Sequence, residues 1–193
     1  MGYSQAQKAE SRQRVLENAS RQIRENGIDA LGVADCMRSA GLTHGAFYGH
    51  FSSRDALIVE ALEHAVQQSE KRMAARAANP DAQDKTPLAL LADAFLNERH
   101  VRNPGEGCAL CALAGDARHA IPDVRALLTR YVQVLASRIA GAMASDTDGP
   151  ALAIVATIVG AVTLARAVDD DELAKSIIAS SLDLVMAQDA DVV

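Results

Sequence analysis

Apolar positions recur every three to four residues along nearly the whole chain, and no stretch shows the strict alternation of a half-buried strand. The pattern predicts helices throughout. A first helix runs from about Ser4 or Gln7 to Asn26, with Leu16, Ala19 and Ile23 on its buried stripe and Gly27 as a left-handed stop. A short second helix covers about Val33 to Ala40, with Val33, Cys36 and Met37 inward, and a third covers about His44 to His50. The fourth starts after Ser52-Ser53, either of which can cap it, and continues to about Ala77 with Leu57, Ile58, Ala61, Leu62, Ala65, Val66 and Met73 on one face.

Asn79 to Pro87 is polar, contains two prolines and reads as a loop. A fifth helix is expected over about Leu88 to His100, then a turn at residues 102–107. A short helix from Cys108 to Ala114 follows, stopped at Gly115. Pro122 opens a longer helix to about Ala144, a break covers Asp146 to Pro150, and two last helices span about Ala151 to Val168 and Asp169 or Asp170 to Ala187. The expected fold class is all-α.

With 193 residues, 49% of them hydrophobic, the chain can bury a sizeable core. That core is aliphatic, since aromatics make up 3% and Trp is absent. The net charge of −6 is unevenly distributed. Residues 1–55 carry seven basic and six acidic groups, whereas residues 56–193 carry twelve and nineteen. A small phosphate-tolerant head on an acidic body fits this division. Met1 to Arg14 lacks the apolar core of a signal peptide, and the longest apolar run, Ala151 to Ala165, is about a turn short of the ~20 residues of a membrane span. Three cysteines do not make a secreted disulfide framework. These features point to a cytoplasmic protein with no membrane partner.

The most informative stretch is Gly41-Leu42-Thr43-His44-Gly45-Ala46-Phe47-Tyr48-Gly49-His50-Phe51. Two apolar helical segments meet at Gly41, and the second is short, begins on a threonine, and carries His44 and Gly45 in its first turn. That is the layout of a helix-turn-helix whose second helix enters a DNA major groove. Leu42 and Phe51 are expected to anchor the core. Thr43 can cap the helix and touch phosphate, His44 and Gly45 can reach base edges, and Tyr48 and His50 can donate to phosphate. Arg54, at the start of the next helix, can add a further phosphate contact.

From Ala40 to Leu57 the sequence resembles the tetracycline-repressor (TetR/AcrR) family, with its Ala-Gly, an apolar residue, two polar residues, Gly, an aromatic-Tyr pair, His-Phe and a capped basic residue before Leu. Asn26-Gly27-Ile28-Asp29-Ala30-Leu31 resembles the same family's first turn. Three positions depart from the pattern. Gly32 stands where Thr or Ser usually caps the second helix, Cys36-Met37 replaces Ile-Ala, and Arg54 replaces Lys.

The resemblance implies a helix-turn-helix DNA-binding domain over residues 1–55 and a helical effector-binding and dimerisation domain over residues 56–193. It implies a regulator, a homodimeric repressor released from a palindromic operator by a small molecule, and no enzyme. A dimer lets two heads read half-sites about 34–36 Å apart or a multiple of that. The last two helices offer a seam through Ile154, Ile158, Ala161, Val162 and Ala165 on one and Leu173, Ile177, Ile178, Ser181 and Val185 on the other. The same residues could instead bury within one subunit. By the same resemblance an effector pocket is expected between residues 88 and 165, with Phe95, Arg99, His100, Cys108, Cys111, Tyr131 and Thr157 as candidate liners.

Cys108 and Cys111 are three residues apart and so share a helix face, flanked by His100 and His119. Simple packing, a redox- or electrophile-sensing pair and a metal site are all compatible with this spacing. A regulator that senses oxidants through these thiols is the alternative function. A single pair with no second pair argues against metal, and neither a metal nor a cofactor is expected.

Overall fold

The computed structural model describes residues 5–79, 84–143 and 148–190, and among them there are helices and turns and no strand. Helix α1 (Gln5–Asn26) buries Val15, Leu16, Ala19 and Ile23 along one face. It ends where Gly27, at φ 87°, returns its N–H to the Ile23 carbonyl at 3.0 Å. Helix α2 (Val33–Ser39) starts after Gly32, which offers no side-chain cap, and buries Cys36 and Met37. Cys36 donates its thiol to the Val15 carbonyl at 3.4 Å, and burial raises its pKa to about 11, so this departure from the family pattern is a packed, inert thiol.

Gly41 has φ 74°, its N–H bonds to Arg38 O at 2.9 Å, and the Leu42 N–H reaches Met37 O at 2.9 Å. This pair of bonds is a Schellman stop, and it turns the chain sharply into residues 44–49. That segment, His44–Gly49, is a 3-10 helix rather than the expected α-helix. It is six residues long, includes Gly45 and Gly49, and lacks a side-chain cap from Thr43, so too little favours a full α-helical ladder. Phe47 and Phe51 hold it instead. Both are buried, with ring centroids 5.8 Å apart.

Helix α3 (Arg54–Ala77) is capped as expected, Ser53 Oγ accepting from Ala56 N at 3.0 Å. Its stripe of Leu57, Ile58, Ala61, Leu62 and Ala65 packs along α1 and then continues onto the body. Of the expected loop at Asn79 to Pro87, residues 80–83 lie outside the described residues, and Pro87 already belongs to the next helix. The expected fifth helix is two helices, α4 (Pro87–Phe95) and α5 (Glu98–Arg102). Asn97 divides them, because its amide donates back to Asp93 O at 2.8 Å while its Oδ1 accepts from His100 N at 2.9 Å, ending one helix and capping the next.

Helix α6 (Ala109–Leu113) follows, and Gly115 beyond it lies in ordinary right-handed space, so it is not a left-handed stop. Helix α7 (Pro122–Ala142) opens on proline and buries Val124, Leu128, Tyr131, Leu135 and Ile139. Helices α8 (Asp148–Ala167) and α9 (Asp171–Ala190) pack on each other, and Asp170 caps α9 through Glu172 N and Leu173 N. Residues 148–150 of the expected break are helical, and residues 144–147 lie outside the described residues.

Two expectations about α8 change. Over Gly149–Ala167 its mean hydropathy is 1.8, so it is long and apolar enough to cross a membrane. It nonetheless packs against α6, α7 and α9 as a core helix. Ile154, Ile158, Ala161, Val162 and Ala165, expected in an inter-subunit seam, are buried within the protomer, as is Val185 of α9. Ile177, Ile178 and Ser181 are half-buried, and Leu173 is exposed. A helix that is apolar all round had to bury its widest face somewhere, and it does so inside its own subunit.

Candidate DNA interface and effector cavity

Thr43, His44 and Gly45 form an exposed edge at the start of the 44–49 segment, with Tyr48 on the same segment. Nothing lies within 4 Å of where a Cβ on Gly45 would sit. Tyr48 is 76% exposed, the most exposed large apolar side chain among the described residues, and packs its ring edge-on against buried Phe47 with centroids 5.2 Å apart. A rigidly mounted aromatic with its hydroxyl in solvent is costly to leave bare, and it suits a phosphate acceptor.

The other two candidates turn inward. Arg54 donates to three carbonyls, Ile28 O at 2.8 Å, Asp29 O at 3.0 Å and Leu31 O at 3.2 Å. It ties the α1–α2 loop to α3 and is not free for phosphate. His50 is half-buried against α1, its carbonyl accepting from Arg12 Nε at 3.4 Å and its Nδ1 buried without a partner. Burial, with Lys8 and Arg12 adding repulsion, lowers its pKa and keeps the ring neutral. Arg12 also pairs with Glu60 and lies 4.8 Å from the Phe51 ring centroid. An exposed cation that the sequence did not single out is Arg38 of α2, paired with Asp35 at 3.0 Å with its side chain 77% exposed.

In the body, a cavity of about 330 Å³ opens between α3, α4–α5 and the strip leading into α6. Of the candidate liners, Phe95, Arg99, His100 and Cys108 face it. Cys111 and Tyr131 do not; Tyr131 stands behind Cys108, with Cys108 Sγ 3.4 Å from Tyr131 Oη and Tyr131 Oη donating to Ser69 Oγ at 3.3 Å. Thr157 is elsewhere, on α8, its hydroxyl donating to Ala153 O at 2.9 Å. Arg72 and Arg76 of α3 complete the wall. In the sequence they read as the solvated face of a long helix, and their four-residue spacing was the only available signal.

His100 is held in one state. Its Nδ1 donates to Phe95 O at 2.6 Å and its Nε2 accepts from Cys108 N at 2.9 Å, which requires the neutral ring. Burial lowers its pKa to about 4, outweighing the Phe95 bond. A Cβ on Gly107 would sit 2.8 Å from this ring, so only glycine fits there. The Cys108 thiol is shifted down, first by a hydrogen bond from Cys111 and then by Tyr131, while Cys111 is shifted up as the donor of that bond and by burial. Among the described residues no cluster of three or more metal-ligating side chains occurs.

Residues 15–61 match the family model of the bacterial regulatory proteins of the tetR family. The head is a tetR-family helix-turn-helix domain. YvdT of Bacillus subtilis (strain 168), an uncharacterized HTH-type transcriptional regulator, is 31% identical over 90 residues, and the match spans 46% of this chain and 46% of YvdT. Among solved structures, a TetR transcriptional regulator from Chloroflexus aurantiacus superposes with a TM-score of 0.78 at 22% identity over 93% of this chain and 94% of that one. The reduced form of Escherichia coli NemR gives 0.75 at 16% identity, over 91% and 94%. The chain spans about half the length of YvdT in that match, and the shared part includes the helix-turn-helix head.

The cavity wall is stitched to this tetR-type head. Arg24 of α1, 4% exposed, donates to Gly107 O at 3.0 Å and to Gln68 Oε1 at 2.9 Å. Asp116, just past α6, accepts from Ile28 N at 3.2 Å at the end of α1. Gly105 presses so closely on α1 that a Cβ there would sit 2.4 Å from Glu25 Oε1. Residues 105–116 thus meet α1 and the turn that follows it at three points, and Gly107 and Cys108 among them line the cavity.

Proposed function

We propose that the chain is a homodimeric repressor that reads a palindromic operator with Thr43, His44, Gly45 and Tyr48 and is released when a small molecule enters the cavity beside His100 and Cys108. The observation that carries the reading is the exposed 43–48 edge, mounted on the buried Phe47–Phe51 pair. The division into a head over 1–55 and a body over 56–193 belongs to the same reading, with α3 running from one to the other. So does a cytoplasmic site of action, where the DNA is.

For the dimer we assign a different set of side chains from the buried stripe of α8. Of the six large apolar side chains exposed among the described residues, Leu152, Leu164, Leu173 and Leu184 are on α8 and α9. Their concentration on one helix pair supports a four-helix seam between two copies. Release follows if effector binding moves the 105–116 strip and, through Arg24, Asp116 and Gly105, α1. The size of the effect is limited by the effector's preference for the state that does not fit DNA. Gel-shift with the DNA upstream of the chain's own gene tests the reading. His44→Ala and Tyr48→Phe are each expected to weaken specific binding, and undiminished binding in both overturns the assigned contacts.

A second reading has one arrangement in its favour: Cys108 at the cavity wall and Cys111 behind it are both free, buried thiols three residues apart, and the pairing shifts the Cys108 thiol down. A peroxide could transfer one oxygen to the Cys108 thiolate, leaving a sulfenic acid, and the Cys111 thiol could then displace water to close a disulfide. Loss of DNA binding on peroxide treatment, abolished by Cys108→Ser and by Cys111→Ser, is the expected result. Peroxide-insensitive binding by the unaltered chain rejects it.

A further inference from the structure

We propose that the cavity beside α3 binds an organic carboxylate with a compact apolar body, its charge held by Arg72 and Arg76. The inference rests on the regulator reading only for the consequence at DNA; binding itself is independent of it. Arg72 and Arg76 are one helical turn apart on the same face of α3, and both line the cavity. Arg72 has no hydrogen bond or ion pair among the described residues. Arg76 makes one long bond, Nη1 to Asp93 O at 3.3 Å, while the Asp93 carboxylate is taken by Lys85. The third cation of the wall, Arg99, pairs with Glu106 at 3.4 Å; that carboxylate also attracts Arg72 through space, but it makes no ion pair with either arginine of α3, so one acid faces three cations.

Further positive charge stands behind the wall. Arg24 and Arg166 are tied to carbonyls there, and neither makes an ion pair, Glu106 reaching Arg24 only through space. His100 is neutral and adds no charge, while the lowered Cys108 thiol offers Arg72 some negative charge from the wall. Two like charges on adjacent turns repel, and the wall beside Arg72 weakens its solvation although both side chains remain exposed at the rim. An entering carboxylate relieves both, because a guanidinium fork matches its two oxygens. That this site sits in a body of nineteen acidic against twelve basic groups sharpens the point, since the positive charge is local. Met73, Ala94 and Phe95 form the apolar part of the lining, and about 330 Å³ is at the small end for a ligand site.

The test is thermal shift and calorimetry on the full chain without DNA, at constant salt. Benzoate, phenylacetate and hexanoate are each compared with the corresponding primary amide. At least one acid is expected to raise Tm with saturation while its amide does not. Arg72→Met and Arg76→Met, which keep the apolar stem, are each expected to weaken that binding by about tenfold or more, and Arg72→Lys to recover part of it. Arg130→Met, on the exposed face of α7, is expected to leave it unchanged. Equal shifts by acid and amide, a shift retained in both methionine variants, an equal shift by inorganic phosphate, or no shift with any of the three acids overturns the proposal. Operator binding by the ligand-free chain is scored separately, so failure of the regulator reading is distinguishable from failure of this one.

Discussion

The arginines of the head and those of the cavity differ in what their guanidinium groups touch. Arg54 holds three loop carbonyls, Arg12 pairs with Glu60 over the Phe51 ring, and Arg24 reaches from α1 to Gly107 O and Gln68. Arg72 holds nothing, and Arg76 holds one carbonyl at the limit of a hydrogen bond. A cation with its donors committed inside the protein fixes a shape. One left without partners beside a cavity is available to a ligand. The sequence alone cannot make that distinction, since both kinds are an Arg on a helix.

The head should break most completely at its aromatic mount. Phe47 is 3% exposed and supports both the Tyr48 ring and the 44–49 segment. Phe47→Ala is expected to cost about 3–5 kcal/mol of stability, as aromatic truncations in cores do, and to abolish operator binding. Urea denaturation with gel-shift reads both. If binding survives with normal affinity, the segment is not held in place by its aromatic core.

The body should break with acid. The folded-state pKa of His100 lies near 4, below the ordinary 6.5, so between these values the unfolded chain binds the extra proton. Stability from this group is therefore fully present above about pH 6.5 and is lost as pH falls toward 4, by roughly 3 kcal/mol in all. Denaturation midpoints across that range check the slope, and His100→Gln, which removes the titration, should flatten it. His50 and His64 are shifted in the same direction, so part of the slope persists in the variant.

The same contrast explains what the sequence made legible. The head's essentials are local. Gly27 and Gly41 take the positive φ expected of stops, Ser53 caps α3, and Phe47 and Phe51 meet because four residues separate them. The inward turn of Arg54 depends on carbonyls at 28, 29 and 31, more than twenty residues away, and so was not visible. The cavity is non-local throughout, joining residues 69–76 to 94–108. Phe95, Arg99, His100 and Cys108 could be named as polar or aromatic interruptions of apolar helices, but α3 contributes through a face that looks solvated. The division of the fifth helix at Asn97 and the inward burial of α8 were likewise settled by packing rather than by periodicity.

Arg54→Ala and Arg72→Ala set the comparison on a single scale. Removing Arg54 leaves three carbonyls at the α1–α2 loop without their charged donor, and charge-assisted bonds of this kind are worth about 1.5–3 kcal/mol. Exposure of part of the side chain puts the expected loss at the lower end, with weaker DNA binding because α2 and the turn at Gly41 lose their fixed relation to α3. Removing Arg72 breaks no hydrogen bond and takes away the through-space attraction of Glu106 together with the repulsion of Arg76, so stability should change by no more than about 0.5 kcal/mol. Thermal and urea unfolding of the two variants, measured at the same pH and salt, decide the matter. Equal losses would mean that Arg72 braces the fold as Arg54 does, and an unpartnered guanidinium beside the cavity would no longer be a reason to look for an anion.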